Sequence, residues 1–296
     1  MQEGKEYNLK LNDGRTIAFY VLGNSNKESI FYFHGWPGTR LEIQPFESIV
    51  KKLDFQLVGI DRPGSGKSEF QRKRKVSDWP KDIKQIADYL KISKFSIIGL
   101  STGGMYAIET LKQLPNLVNK ICLVSAVPYF KIKYPKPSFR SRVIKLTHYF
   151  PLLSKSILRI ISDLGIIPYR RNKQKAFQKF LKKRPVNDRI TMTKQGMKEW
   201  FLDSYIPDLL KSSKKGLSYD IYLLLKEQAT VDPTEAAELK HQIYLFHGTN
   251  DTVVPMFASI QQDSYFPNSE LILFDNEGHS TIYNHMEEIV EKLLSR

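Results

Sequence analysis

The chain has 296 residues, 41% of them hydrophobic, a formal net charge of +14 and one cysteine. That apolar content is ample for one large domain, or a core plus a smaller insertion. A lone thiol excludes an intramolecular disulfide, and no run of about 18 apolar residues is present to span a membrane. The opening Met1-Gln-Glu-Gly-Lys-Glu-Tyr7 holds no hydrophobic stretch, so no secretory signal is expected. With Cys122 inside the apolar run 120–125, where it reads as a buried strand residue, this points to a reducing, cytoplasmic setting. The charge is uneven: 22 of the 45 Lys and Arg, but 5 of the 31 Asp and Glu, fall between Tyr129 and Gly216. That shift in composition marks a boundary within the chain.

In chain order, residues 7–11 and 15–22 read as a hairpin around Asn12-Asp13-Gly14. A strand over 29–33 ends in His34-Gly35-Trp36-Pro37-Gly38, followed by a helix over 41–53. A strand over 56–60 ends in Asp61-Arg62-Pro63-Gly64, and a helix over 77–90 is expected to be capped by Ser77 or Asp78. A strand over 95–100, a helix over 102–114 and a strand over 120–125 complete the first part. Between about 128 and 230 no strong strand is legible; proline, aromatic and basic residues dominate helix-like segments. Alternation then resumes with strand 242–246, helix 256–262, strand 270–274 and helix 279–294. The pattern predicts an α/β fold: a mostly parallel central sheet with helices on both faces, plus an inserted helical cap. The expected division is 1–127 and 231–296 as core and 128–230 as a strongly basic cap.

Ser101 carries the chemistry of this pattern. It sits in Gly99-Leu100-Ser101-Thr102-Gly103, between a strand and a helix. A serine at the apex of a sharp strand-to-helix turn exposes its hydroxyl at the sheet edge, and flanking glycines avoid collisions with the neighbouring strand and helix. A serine hydroxyl needs a histidine to take its proton and a carboxylate to orient that histidine. His279 follows strand 270–274 by a short loop, and Asp251 follows strand 242–246 in His247-Gly-Thr-Asn-Asp251. The order Ser101, Asp251, His279 is the order this arrangement requires. Asp232, Asp275 and Glu277 are the fallback acids; His148, His241, His247 and His285 have weaker claims as base. An oxyanion would be held by the backbone N–H groups of Thr102 and Trp36, with His34, Gly35, Gly99 and Gly103 shaping the loop and elbow. The run Arg62-Pro-Gly-Ser-Gly-Lys-Ser68 imitates a phosphate-binding loop, but Asp61 stands where that motif needs glycine.

These blocks resemble the α/β-hydrolase superfamily, over most of the chain outside 128–230. They are His34-Gly-Trp-Pro-Gly38, Asp61-Arg-Pro-Gly-x-Gly66, Gly99-x-Ser101-x-Gly103-Gly104, and Asp251 with Gly278-His279, in the family's order. The His-Gly-x-Pro-Gly form is similar to that of proline iminopeptidases and some esterases. The resemblance implies hydrolysis of a carboxylic ester or related acyl bond on a small-molecule acyl substrate, without metal or organic cofactor. Thioester, lactone, C–C or prolyl amide cleavage, or an idle ligand-binding protein, stand as alternatives. The basic cap is expected to bury its apolar side on the core. An apolar, cation-rich stretch at 139–161 raises weak contact with an anionic membrane, and no nucleic-acid motif is present.

Overall fold

A computed structural model describes residues 4–133, 156–160, 167–228 and 230–295. Eight strands form one sheet: β1 (Lys5–Lys10), β2 (Thr16–Gly23), β3 (Ser29–Phe33), β4 (Gln56–Ile60), β5 (Phe95–Leu100), β6 (Val118–Val124), β7 (Ile243–Gly248) and β8 (Ser269–Phe274). Their spatial order is β1-β2-β4-β3-β5-β6-β7-β8. The first two pairings, β1 with β2 and β2 with β4, are antiparallel, and the other five are parallel. Strands β3, β4 and β5 are buried at every residue. Helices cover both their faces, which is why their sequences are continuous apolar runs rather than alternating ones.

On one face lie α1 (Glu47–Leu53) and the closing helix, whose Ile282, Met286, Ile289 and Val290 pack with Val50, Ile98 and Phe246. The other face carries α2 (Trp79–Leu90) and α3 (Gly103–Gln113), where Ile83, Ile86, Met105 and Ile108 meet Phe31, Ile97 and Leu123. Cys122 is fully buried in β6, and burial pushes its thiol well up.

Three expectations shift in detail. The helix over 41–53 divides into a 3₁₀ stretch, Arg40–Phe46, and α1, at Pro45, whose nitrogen carries no hydrogen for an α-helical bond. Asp78 does not cap α2 with its side chain; its carboxylate accepts the Lys75 N–H at 2.9 Å, within a preceding 3₁₀ turn. The helix expected from 279 begins at Ile282, leaving His279 in the loop before it.

Between β6 and β7 the described residues are helical or irregular, apart from a single bridge between Phe130 and Val231. The helices include α4 (Lys173–Leu181), α5 (Val186–Thr193), an irregular run over 197–209 and α6 (Lys214–Glu227). They share an apolar cluster of their own that includes Phe177, Met192, Phe201 and Leu217. Among the described residues no helix is long and apolar enough to cross a membrane. Most of 139–161, on which the membrane expectation rests, lies outside the described residues.

Candidate active site

Ser101 occupies the turn between β5 and α3 with φ of +52°, a left-handed conformation that non-glycine residues seldom adopt. Local bonds hold it there. Its N–H donates to the Val124 carbonyl at 2.9 Å, and its own carbonyl accepts from Val127 N at 2.9 Å. The packing around it explains two glycines: a Cβ on Gly103 would lie 2.0 Å from the Phe33 carbonyl oxygen, and one on Gly99 2.9 Å from the Gly103 oxygen.

Asp251 and His279 come from the loops after β7 and β8. The two loops are tied: Asn250 N donates to Glu277 O at 2.9 Å, and Asn276 N to Thr249 Oγ1 at 3.0 Å. Asp251 uses its oxygens for different tasks. Oδ1 accepts the Val253 and Val254 N–H groups at 2.7 and 3.0 Å, forming a turn, while Oδ2 lies 2.7 Å from His279 Nδ1. Burial alone would raise the Asp251 pKa. Hydrogen bonds from His247 and His279 outweigh it and hold the carboxyl well below the usual carboxylate range. With Asp251 ionised, His279 Nδ1 carries the hydrogen and Nε2 is left as the basic nitrogen. His247, fully buried, has Nδ1 2.7 Å from Ser259 Oγ, and its Nε2 lies 2.9 Å from the Val254 carbonyl and 3.4 Å from Asp251 Oδ2.

The loop after β3 lies beside the serine: a Cβ on Gly35 would sit 3.5 Å from Ser101 Cβ. His34 is fully buried, with Nδ1 2.8 Å from the Gly35 oxygen and Nε2 accepting from Arg62 N at 3.2 Å. Burial, then the Arg62 charge, lowers its pKa well below the ordinary value, so it is a neutral loop-shaping group. Among the described residues neither the Trp36 nor the Thr102 backbone N–H donates to a protein acceptor. The Trp36 indole N–H donates to Leu217 O at 2.9 Å, which joins this loop to α6.

Ser101, His279, Gly35 and Trp36 line one cavity of about 480 Å³, without a hydrogen bond between the serine hydroxyl and the imidazole. The helical segment between β6 and β7 supplies much of the wall, including Tyr169, Phe180, Met192, Trp200 and Leu209.

Four carboxylates matter here that the sequence reading did not single out. Glu42 lines the cavity; its Oε2 accepts from Tyr32 Oη at 3.1 Å and Gly35 N at 3.3 Å, and its Oε1 lies 3.1 Å from Tyr205 Oη. Burial pushes its pKa up to about 7. Asp188, in the first turn of α5, is buried and accepts the N–H of His279 at 3.2 Å and of Ser280 at 2.9 Å. Asp220, in α6, accepts from Arg62 at 2.8 Å, Arg74 at 2.6 Å and Tyr106 Oη at 2.9 Å. Arg62 in turn donates to the carbonyls of His34 and Gly35. Asp208 receives Arg40, which also binds Asp61 at 2.8 Å. Asp61, where a phosphate loop would need glycine, accepts Lys67 N at 2.8 Å and closes its own turn.

The family model for the alpha/beta hydrolase fold matches residues 28–285. The chain is 23% identical over 277 residues to AB hydrolase superfamily protein YisY of Bacillus subtilis, covering 92% of each. It is 22% identical over 281 residues to a pimeloyl-[acyl-carrier protein] methyl ester esterase of Nitrosomonas europaea, covering 92% of this chain and 97% of that one. Among solved structures it superposes on an esterase from Exiguobacterium antarcticum with a TM-score of 0.70, at 19% identity over 97% of both chains.

Proposed function

The chain belongs to the alpha/beta hydrolase family, and from that premise we propose that it is a serine esterase acting through Ser101, His279 and Asp251. The observation that supports this most is the 2.7 Å pairing of Asp251 with His279, with His279 lining the same cavity as the left-handed Ser101. His279 Nε2 takes the Ser101 proton as Oγ attacks the ester carbonyl carbon. Asp251 holds the imidazole in the correct tautomer and stabilises the imidazolium. The N–H groups of Trp36 and Thr102, without protein acceptors among the described residues, receive the oxyanion. His279 then protonates the departing alcohol, and water, activated by the same ring, releases the acid from the acyl-enzyme. The helical segment between β6 and β7 serves as the cap over this chemistry.

Carboxylic esters are the chosen substrates because relatives across nearly the whole chain are named as esterases. The same triad would serve thioester, lactone or C–C cleavage, so a substrate panel accompanies the test. Wild type should hydrolyse p-nitrophenyl butyrate and label covalently with a fluorophosphonate. Ser101→Ala should lose labelling and about 10⁴-fold or more in kcat. Labelling of the variant at the wild-type rate refutes the assignment.

A further inference from the structure

One wall of the cavity carries three cations. Ala176, Lys179, Phe180 and Lys183 recur at a helical spacing along α4 and just beyond it, and Arg184 follows; all five line the cavity. Lys179 and Lys183 are exposed and Arg184 is half-buried, which puts them where the cavity meets solvent. The Arg184 guanidinium stacks 4.6 Å from the Phe180 ring centroid, so it is held against the apolar wall.

Two cations of this helical segment have acidic partners: Lys173 contacts Asp203, and Lys211 lies 3.8 Å from Asp208. Lys179, Lys183 and Arg184 have no carboxylate within ion-pair distance among the described residues. The carboxylate that shares the cavity, Glu42, is engaged by Tyr32, Gly35 and Tyr205. The cavity therefore has an apolar interior and a positive mouth, where Arg184 feels the charge of the buried Asp188 but forms no ion pair among the described residues. A neutral short ester makes no use of that arrangement. An ester with an apolar middle and an anionic end matches both parts.

We propose that Lys179, Lys183 and Arg184 form an anion subsite, and that the substrate is an ester whose unreactive end carries a carboxylate or phosphate. This rests on the serine-esterase reading above. Soluble esters that differ in charge test it. Mono-p-nitrophenyl adipate carries a carboxylate at the end of its acyl chain, and p-nitrophenyl hexanoate is its neutral counterpart. For an anion on the alcohol side, 2-hexanoyloxyethyl phosphate is compared with ethyl hexanoate. Whichever anionic arm wild type prefers in kcat/KM identifies the source. That preference should fall about tenfold in K179Q/K183Q/R184Q and shrink in high salt. It should survive in the charge-conserving K179R/K183R/R184K.

An unchanged preference in the neutralised variant, in both arms, overturns the subsite. So does equal loss in the charge-conserving variant, which would make the role one of packing. If the neutralised variant loses activity only on esters dispersed in phosphatidylglycerol vesicles, the cations serve a surface and the subsite is again overturned. A separate binding arm guards against failure of the serine reading. Calorimetric titration of Ser101→Ala with monomethyl adipate should give binding that is lost when the three neutralising changes are added. Loss of that binding in a protein without esterase activity would sink the esterase reading and leave the subsite standing.

Discussion

The Tyr205 hydroxyl owns one hydrogen, and two oxygens lie within its reach: Pro37 O at 2.7 Å and Glu42 Oε1 at 3.1 Å. The shorter contact has first claim on that hydrogen, and a protonated Glu42 carboxyl can donate to Tyr205 Oη in its turn. Oε2 remains the acceptor for Tyr32 and for Gly35 N. Tyr283 adds to the buried surroundings; the contacts with Tyr205, Gly35 and Tyr32 and the Arg62 charge pull toward ionisation, and burial outweighs them. The unfolded chain releases this proton at the ordinary value of 4.5, while the fold keeps it until about 7. The folded state therefore binds more protons across that window, and stability falls as pH rises through it, by something on the order of 3 kcal/mol. Glutamine reproduces the protonated form, its amide donating to Tyr205 and its oxygen accepting from Tyr32 and Gly35. Glu42→Gln should therefore gain Tm relative to wild type between pH 5 and pH 8. A constant Tm difference across that range counts against a neutral Glu42. Nothing in the local sequence announces this, because Glu42 reads as an ordinary polar residue near the start of a helix. Ser101, Asp251 and His279 were legible as candidates because each follows a strand, where chain order and loop position carry information.

At the scale of elements, the core strands could be read almost to their ends, since runs such as Phe95-Ser-Ile-Ile-Gly-Leu100 are buried throughout. The segment between β6 and β7 was less legible, because what matters there is which few acids point inward. Asp188, Asp208 and Asp220 are 0%, 2% and 3% exposed, and an aspartate is almost never buried without partners. Asp220 gave a usable signal: it interrupts the apolar run Leu217-Ser-Tyr-Asp-Ile-Tyr-Leu-Leu-Leu225. Asp188 gave none, since its partners lie 91 and 92 residues away. Through it α5 fixes the backbone on either side of the His279 peptide. Asp188→Asn presents an NH₂ to one of those amides in place of an oxygen. It should lower kcat for p-nitrophenyl butyrate about tenfold, the scale of one charge-assisted hydrogen bond, with KM nearly unchanged. Equal changes in kcat and KM, or none, would remove Asp188 from the positioning of His279.

Across the whole molecule, buried ion clusters join the sheet to the helices above it. Burial would raise the Asp220 pKa, but Arg62 and Arg74 outweigh that and hold it well below the ordinary 3.8. Its contribution is complete above that ordinary value and is lost as pH falls from there toward the folded value. Asp220→Asn leaves two buried guanidinium groups short of a counter-charge. It should cost about 3–5 kcal/mol in urea unfolding at pH 7 and flatten the acid limb of stability. A cost under about 1 kcal/mol would mean that the guanidinium groups find other partners. With Glu42 acting from the alkaline side, wild-type stability should peak between the two. These joints also bear on how the chain is made. Arg40 and Asp208 are 168 residues apart, Arg62 and Asp220 158, and Arg74 and Asp220 146. A growing chain that has released β1 to β6 holds all three arginines beside an apolar sheet with these partners still unsynthesised. Asp251 and His279 emerge later still. The sheet is thus ready long before the site is, and an arrested or truncated product ending before Asp208 would expose unpaired charge on its most apolar surface.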